Sequence, residues 1–200
     1  MSCCSTPGLL PLENALEQMA QSISSITDVE RASIDDALNR IVAEDIHSPV
    51  FVPPCDNSAM DGYALYLDED NELAEFKLVG RSFAGEPFSG ECVKGECIRI
   101  MTGAKIPDCC NTVVMQENAS VDGDIIRFSE GLKIGSHVRP KGDDIQQGQS
   151  IVSKGTRLTA AHLGLLASIG VGEVPVIRKP VIAVFSTGDE LRVAGETLGE

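Results

Sequence analysis

Basic residues are scarce in this sequence. Its 16 Lys and Arg stand against 30 Asp and Glu, a formal net charge of -14. A field of that sign repels a phosphate backbone or an anionic bilayer, so nucleic acid and membrane surfaces are not expected partners. No apolar run approaches the roughly 20 residues a spanning helix needs. The longest such stretch, near the C-terminal end, is broken by Glu173, Arg178 and Lys179. Met1 to Leu10 has neither the basic start nor the continuous apolar segment of a secretory signal, which makes the cytoplasm the expected compartment.

Cysteines at C-x-x-C spacing are missing as well. The seven cysteines, Cys3, Cys4, Cys55, Cys92, Cys97, Cys109 and Cys110, include no C-x-x-C pair. A zinc site uses thiolates at such spacing, and a disulfide framework uses an even count in a secreted chain. The expectation is free thiols in a reducing compartment, with no zinc or iron bound stoichiometrically. Histidine is rare too. His47, His137 and His162 all lie outside the motifs described below, so surface or packing roles are expected for them.

What is present suits a globular fold. The 200 residues are 42% hydrophobic, enough to bury the core of one large domain or two small ones. From Pro11 to Ile26, Leu12, Ala15, Leu16, Met19, Ile23 and Ile26 recur at helical spacing, and Pro11 suits the first turn. A short second helix is predicted over Ser33 to Asn39, with Ser33 as its cap, and a strand over Ile41 to Ile46. Between His47 and Ile145 the chain changes to short β-like runs: Phe76 to Val79, Cys97 to Met101, Thr112 to Gln116 and Ile125 to Phe128. The Asp122-Gly123-Asp124 turn suits a hairpin between the last two. Thr159 to Ile169 reads as a helix with a Thr cap and Gly170 as its stop. Pro180 opens Val181-Ile182-Ala183-Val184-Phe185, a continuous apolar run of the kind buried on both faces of a parallel sheet. It is expected to start an α/β domain, which the residues after it are too few to finish. A βαβ unit takes roughly 30 residues.

Four segments carry chemistry. Asn57-Ser58-Ala59-Met60-Asp61-Gly62-Tyr63-Ala64 sets one carboxylate on a tight turn with free N–H groups around it. Taken alone, Asp61-Gly62 is an ordinary turn. Arg99-Ile100-Met101-Thr102-Gly103-Ala104, followed by Ile106-Pro107 and Val113-Val114-Met115-Gln116-Glu117, ends a strand in a hydroxyl and unhindered backbone donors that suit an oxyanion. A strand and a turn would look the same. In Arg139-Pro140-Lys141-Gly142-Asp143-Asp144-Ile145, Arg139 and Lys141 can hold phosphate while Asp144 faces a metal ion or a donor, or the segment is a solvated charge cluster. In Phe185-Ser186-Thr187-Gly188-Asp189-Glu190-Leu191, donors and hard oxygens lie at the end of the apolar run, where ligands of open sheets bind, or the segment caps a helix.

Together and in this order, the four segments resemble the N-terminal half of the molybdopterin molybdenumtransferase family, which includes bacterial MoeA and the E domain of gephyrin. The resemblance runs from about Leu12 to the last residue. Lys141 and Asp143 stand where the family usually has Arg and Glu, and Lys lacks the bidentate fork of Arg. The resemblance implies an α+β fold. A β-rich lobe, residues 47–145, is inserted between the helical segments 6–46 and 146–178, and residues 179–200 begin a doubly wound molybdopterin-binding domain. It further implies Mg²⁺-dependent insertion of molybdenum from molybdate into adenylylated molybdopterin, with release of AMP. Asp61, Thr102, Asp144 and Glu190 are then the catalytic residues, with Glu190 also at the metal. Ser58, Gly103, Arg139, Ser186, Thr187 and Gly188 are the implied binding residues. The implied partners are small-molecule substrates, a second copy in an elongated homodimer, and the molybdopterin adenylyltransferase.

The family's later Gly-Gly-Val-Ser and Pro-Gly-Asn-Pro motifs do not occur here. The sequence therefore fits a fragment, a truncated gene product or an inactive homologue. A different class stays open beside the enzyme, because the gephyrin branch uses this fold as a dimeric scaffold that binds peptide segments.

Overall fold

The computed structural model describes residues 10–70, 74–129 and 131–197. The chain is mixed α+β and mostly β. Its elements in order are α1 (Leu12–Ser22), β1 (Val29–Ser33), β2 (Ile46–His47), β3 (Asn57–Ser58), β4 (Gly62–Leu65), β5 (Glu75–Ser82), β6 (Glu96–Ile100), β7 (Thr112–Met115), β8 (Ala119–Asp122), β9 (Ile125–Phe128), β10 (Val138–Arg139), β11 (Ser150–Val152), α2 (Ala160–Ser168) and β12 (Glu173–Ile177).

Apolar residues near the two ends of the chain form one core. β1 and β12 pair antiparallel, with Val29 opposite Ile177 and Ser33 opposite Glu173. In β12 every second residue points inward, so Val174 and Val176 are buried and join Ala32, Val42, Val152, Leu158, Leu166 and Ile169. Burying each such Val, Leu or Ile contributes about 1.5–3 kcal/mol. α2 enters this core through Leu166, and Thr159 caps it in a reciprocal box with His162. Gly170, at φ +79°, ends the helix as expected.

The segment between β2 and β11 builds a six-stranded sheet of order β7-β4-β6-β5-β9-β8. All neighbours are antiparallel except β5 and β6, which run parallel. β4 is buried on both faces. Tyr63 and Leu65 pack with Leu67, Phe76, Cys97 and Ile126, while Ala64 faces Ile100, Ala104, Ile106 and Val113. Strand alternation thus puts one segment into two cores. The β4–β7 ladder is close at Gly62, where an added Cβ would sit 1.9 Å from the Val114 carbonyl oxygen.

Several expectations change. α1 ends at Ser22 rather than Ile26, because Ser22 Oγ turns back to the Met19 carbonyl at 2.8 Å and Ile23 is extended. The run Ser22-Ile23-Ser24-Ser25-Ile26 is a poor helix former. The helix at Ser33 shrinks to a single 3-10 turn, Ile34–Asp36, still capped by Ser33. Ile41 and Val42 make isolated bridges to Arg157 and Val176, so the expected Ile41–Ile46 strand survives only as β2. The Asp122-Gly123-Asp124 turn forms, but it joins β8 to β9; β7 pairs with β4 instead. After β12 the described residues contain no strand. Val181 is 91% exposed and Phe185 85%. An apolar strand of a doubly wound sheet needs neighbours on its edges and helices on its faces, and none of the described residues covers it.

Candidate functional site

The short strand β3 is where the motifs meet. It pairs with β10, Ser58 opposite Val138 and Asn57 opposite Arg139, which carries the first motif to the third. On its other side, Ser58 N donates to the Ala104 carbonyl at 3.0 Å and Gly103 N donates to the Ser58 carbonyl at 2.8 Å, joining the first motif to the second. Gly103 sits at φ +82°, a backbone position that favours glycine. Ser58 itself is buried, and its hydroxyl donates to the Met60 carbonyl at 2.5 Å, which tightens the turn that leads to Asp61. Beside it, Asn57 Oδ1 is buried with no hydrogen-bond partner among the described residues. That is an acceptor left open for a donor that the described residues do not supply.

Asp61 and Thr102 form the most definite contact. One carboxylate oxygen, Asp61 Oδ1, accepts from Thr102 N at 2.8 Å and from Thr102 Oγ1 at 2.7 Å. These bonds, side chain first, together with the charge of Arg99, hold the Asp61 carboxyl below its ordinary value. Asp61 is therefore an anion at neutral pH. Its Oδ2 accepts nothing among the described residues and faces outward as a hard oxygen donor of the kind Mg²⁺ takes.

Arg99 is a site residue that sequence reasoning passed over, although it opens the second motif. Its guanidinium donates to the Gly62 carbonyl at 2.8 Å and to Gln116 Oε1, and lies 5.1 Å from the centre of the Tyr63 ring. Gln116 N in turn donates to the Asp61 carbonyl at 3.0 Å. β4 lies between β6 and β7, so Arg99 and Gln116 reach across it and clamp the strand that follows Asp61. Arg99 opens that segment and Gln116 lies near its end, but the segment breaks into two strands that flank β4, a fact that spacing alone does not reveal.

The third motif is held by its own charges. Arg139 Nη2 donates to Asp144 Oδ2 at 2.7 Å, and Arg139 Nε lies 3.9 Å from Asp143. Lys141 N donates to Asp56 Oδ1 at 2.7 Å, while its ammonium lies 4.3 Å from the centre of the Phe51 ring. Gly142, at φ +73°, leaves no room for a Cβ against Gln146 and Phe51. Arg139 and Lys141 thus bring two cations to one loop of an acidic molecule, a setting for a phosphate.

The fourth motif stands apart. Ser186, Thr187, Gly188 and Glu190 are exposed, and among the described residues no hydrogen bond or ion pair ties them to Asp61 or Arg139. The local contact there is a turn, Leu191 N donating to the Gly188 carbonyl at 3.2 Å. Cys97 is buried in the sheet, and burial pushes its thiol up to about 12.

Residues 10–170 match the family described as the MoeA N-terminal region, domains I and II. The chain belongs to this family. It is 41% identical over 191 residues to the molybdopterin molybdenumtransferase of Haemophilus influenzae, a match covering 95% of this chain and 47% of that protein. The molybdopterin molybdenumtransferase of Bacillus subtilis is 31% identical over 191 residues, covering 91% and 44%. Among solved structures, the MoeA protein of molybdopterin biosynthesis from Pyrococcus horikosii superposes with a TM-score of 0.81 at 36% identity, over 96% of this chain and 50% of that one. The chain spans about half the length of the curated relatives it matches. No helix among the described residues is long and apolar enough to cross a membrane.

Proposed function

We propose that this chain is the N-terminal part of a molybdopterin molybdenumtransferase, acting in the cytoplasm in molybdenum cofactor biosynthesis. The reaction proposed is insertion of molybdenum from molybdate into adenylylated molybdopterin with release of AMP. One observation carries the reading: the Asp61 carboxylate, fixed by two bonds from Thr102, stands where three of the four motifs join.

The parts have complementary tasks. Arg139 and Lys141 bind and orient a nucleotide-linked phosphate, and Gly103 leaves the backbone open for close approach of an anion. Thr102 keeps Asp61 ionised and aimed, so its free oxygen is ready for a cation without reorganisation. Asp61, with Asp144 and Glu190 as further carboxylates, would hold Mg²⁺. Held by those carboxylates, it would supply neutralisation of phosphate charge and polarisation of the bond to the leaving AMP. Ser186, Thr187 and Gly188 supply donors for the pterin side.

Residues 47–145 are proposed as an inserted lobe, with 6–46 and 146–178 as the domain it interrupts and 179–200 as the start of the molybdopterin-binding domain. The separate cores either side of β2 and β11 support that division. The Glu190 segment, detached from the Asp61 group in this chain, supports a cleft completed by a second subunit of a homodimer. The molybdopterin adenylyltransferase is the proposed donor of substrate.

A mixed dimer of the full-length protein tests the shared cleft. Asp61→Ala in one subunit and Glu190→Ala in the other should leave one working site and about half the activity, whereas either homodimer should fall at least 100-fold. Equal loss in the mixed dimer would refute a cleft shared between subunits.

A further inference from the structure

Spacing along the chain gives no thiolate pair, yet the fold assembles three thiols. β6 and β7 are both antiparallel to β4, so they run in the same direction and begin at the same edge of the sheet. Cys92 lies four residues before β6, and Cys109 and Cys110 lie just before β7. The two loops meet there. The sulfur atoms of Cys92, Cys109 and Cys110 all lie within 4.8 Å of one another, and Cys109 Sγ is 4.0 Å from Cys110 Sγ.

We propose that Cys92, Cys109 and Cys110 form a three-thiolate site for a soft d10 cation, Cu(I) in preference to Zn(II). The geometry supports it directly. Metal–sulfur bonds of about 2.3 Å set 120° apart put the three sulfurs about 4.0 Å from each other, so closure needs shifts of less than an ångström. Thiolates select Cu(I), zinc and iron–sulfur clusters over hard ions. Three sulfurs complete a trigonal sphere for Cu(I), whereas a structural zinc takes four ligands and would need one more.

The surroundings fit capture from solution. All three thiols are partly buried, and a cleft of about 410 Å³ lined by Phe88, Glu91, Lys105 and Pro107 opens onto Cys92 and Cys109. It offers the entry path a metal site requires. Binding exchanges three S–H protons for one Cu(I), which leaves a thiolate complex of charge -2 and releases three protons. Lys105, in the cleft wall, is paired with Asp108 at 3.1 Å, so the charge of the complex is left chiefly to solvent. Cys97 is fully buried in the sheet and Cys55 is not among the three, so neither is assigned to the site.

The test uses the 200-residue chain with Cys3, Cys4 and Cys55 replaced by Ser, reduced and kept free of oxygen. Titration with Cu(I) against a coloured competing chelator should show one ion per chain, and X-ray absorption should show three sulfur neighbours near 2.3 Å. Zn(II) should bind at least 100-fold more weakly. Cys92→Ser, in an exposed loop, should lower Cu(I) affinity at least 100-fold with unchanged circular dichroism, as should Cys109→Ser. Absence of stoichiometric Cu(I), a sulfur count of two, tighter binding of Zn(II), or affinity unchanged in a folded Cys92→Ser variant would each overturn the assignment.

Discussion

The Asp61–Thr102 contact ties a charge state to a single hydroxyl. Asp61 is half-buried and still reached by water, which screens much of any coulombic effect, and the two short bonds to one oxygen are what depress its titration. The folded value lies below that of an unfolded chain. The resulting stabilisation is therefore present at neutral pH, down to the unfolded value of about 3.9, and is lost as pH falls through the lower folded value. Thr102→Val keeps the shape and the backbone bond but removes the larger contribution. Carbon-detected NMR titration should show the Asp61 midpoint rising toward its ordinary value. An unmoved midpoint would mean that Thr102 does not set the charge. At Gly62 the constraint is steric, since any Cβ meets the Val114 carbonyl at 1.9 Å across the ladder to the edge strand β7. Gly62→Ala should cost on the order of 3 kcal/mol or prevent folding, read from urea unfolding. A variant as stable as the parent would show that β4 and β7 have room to part. The same glycine reads from sequence as the second half of an Asp-Gly turn, because a close approach between strands leaves no local mark.

At the scale of elements, α1 is all surface. None of its residues is buried, and Leu12, Leu16 and Met19 are between 56% and 65% exposed. An amphipathic helix that none of the described residues covers supports the proposed homodimer, since apolar stripes of this kind are normally covered. Leu16→Asp together with Met19→Asp should halve the mass measured by light scattering on the full-length protein and leave the thermal midpoint of the β-sheet unchanged. A variant that remains dimeric would place the subunit contact elsewhere. The helices and the stronger strands were legible in the sequence because their signals are local. Thr159 and Gly170 bracket α2, and the runs at Phe76, Cys97, Thr112 and Ile125 are rich in β-branched or aromatic residues. β1 and β8 were not legible. Val29-Glu30-Arg31-Ala32-Ser33 shows one buried residue and β8 none, so tertiary pairing rather than pattern makes them strands. Gly62-Tyr63-Ala64-Leu65 is central yet holds no β-branched residue. The site divides the same way. Asp61, Thr102, Ser58, Gly103 and Arg139 converge because β3 gathers their loops, a pairing two residues long that no periodicity announces.

Across the whole molecule, the core of β1, α2 and β12 is joined by little chain to the sheet and its two cores. The core that gathers β1, α2 and β12 leaves the C-terminal apolar run uncovered, and the four exposed motif residues of that run are far along the chain from the Asp61 group. Residues 1–200 alone should accordingly bind adenylylated molybdopterin weakly, with calorimetric affinity at least 100-fold below that of the full-length protein, and should insert no molybdenum. Turnover by the 200-residue chain would show that the substrate site has been misplaced.

The β2–β11 pairing sets His47 opposite Ser150, so the stretch that builds the six-stranded sheet leaves and re-enters its host at neighbouring points. A segment whose two ends are already side by side resembles a cassette. It can lengthen, drift or be exchanged between relatives without pulling on the body that carries it, because the host sees only a short gap to be bridged. Selection can thus reshape the sheet, with Asp61 near one end of its strands and the thiol cluster near the other, independently of the core that anchors the chain.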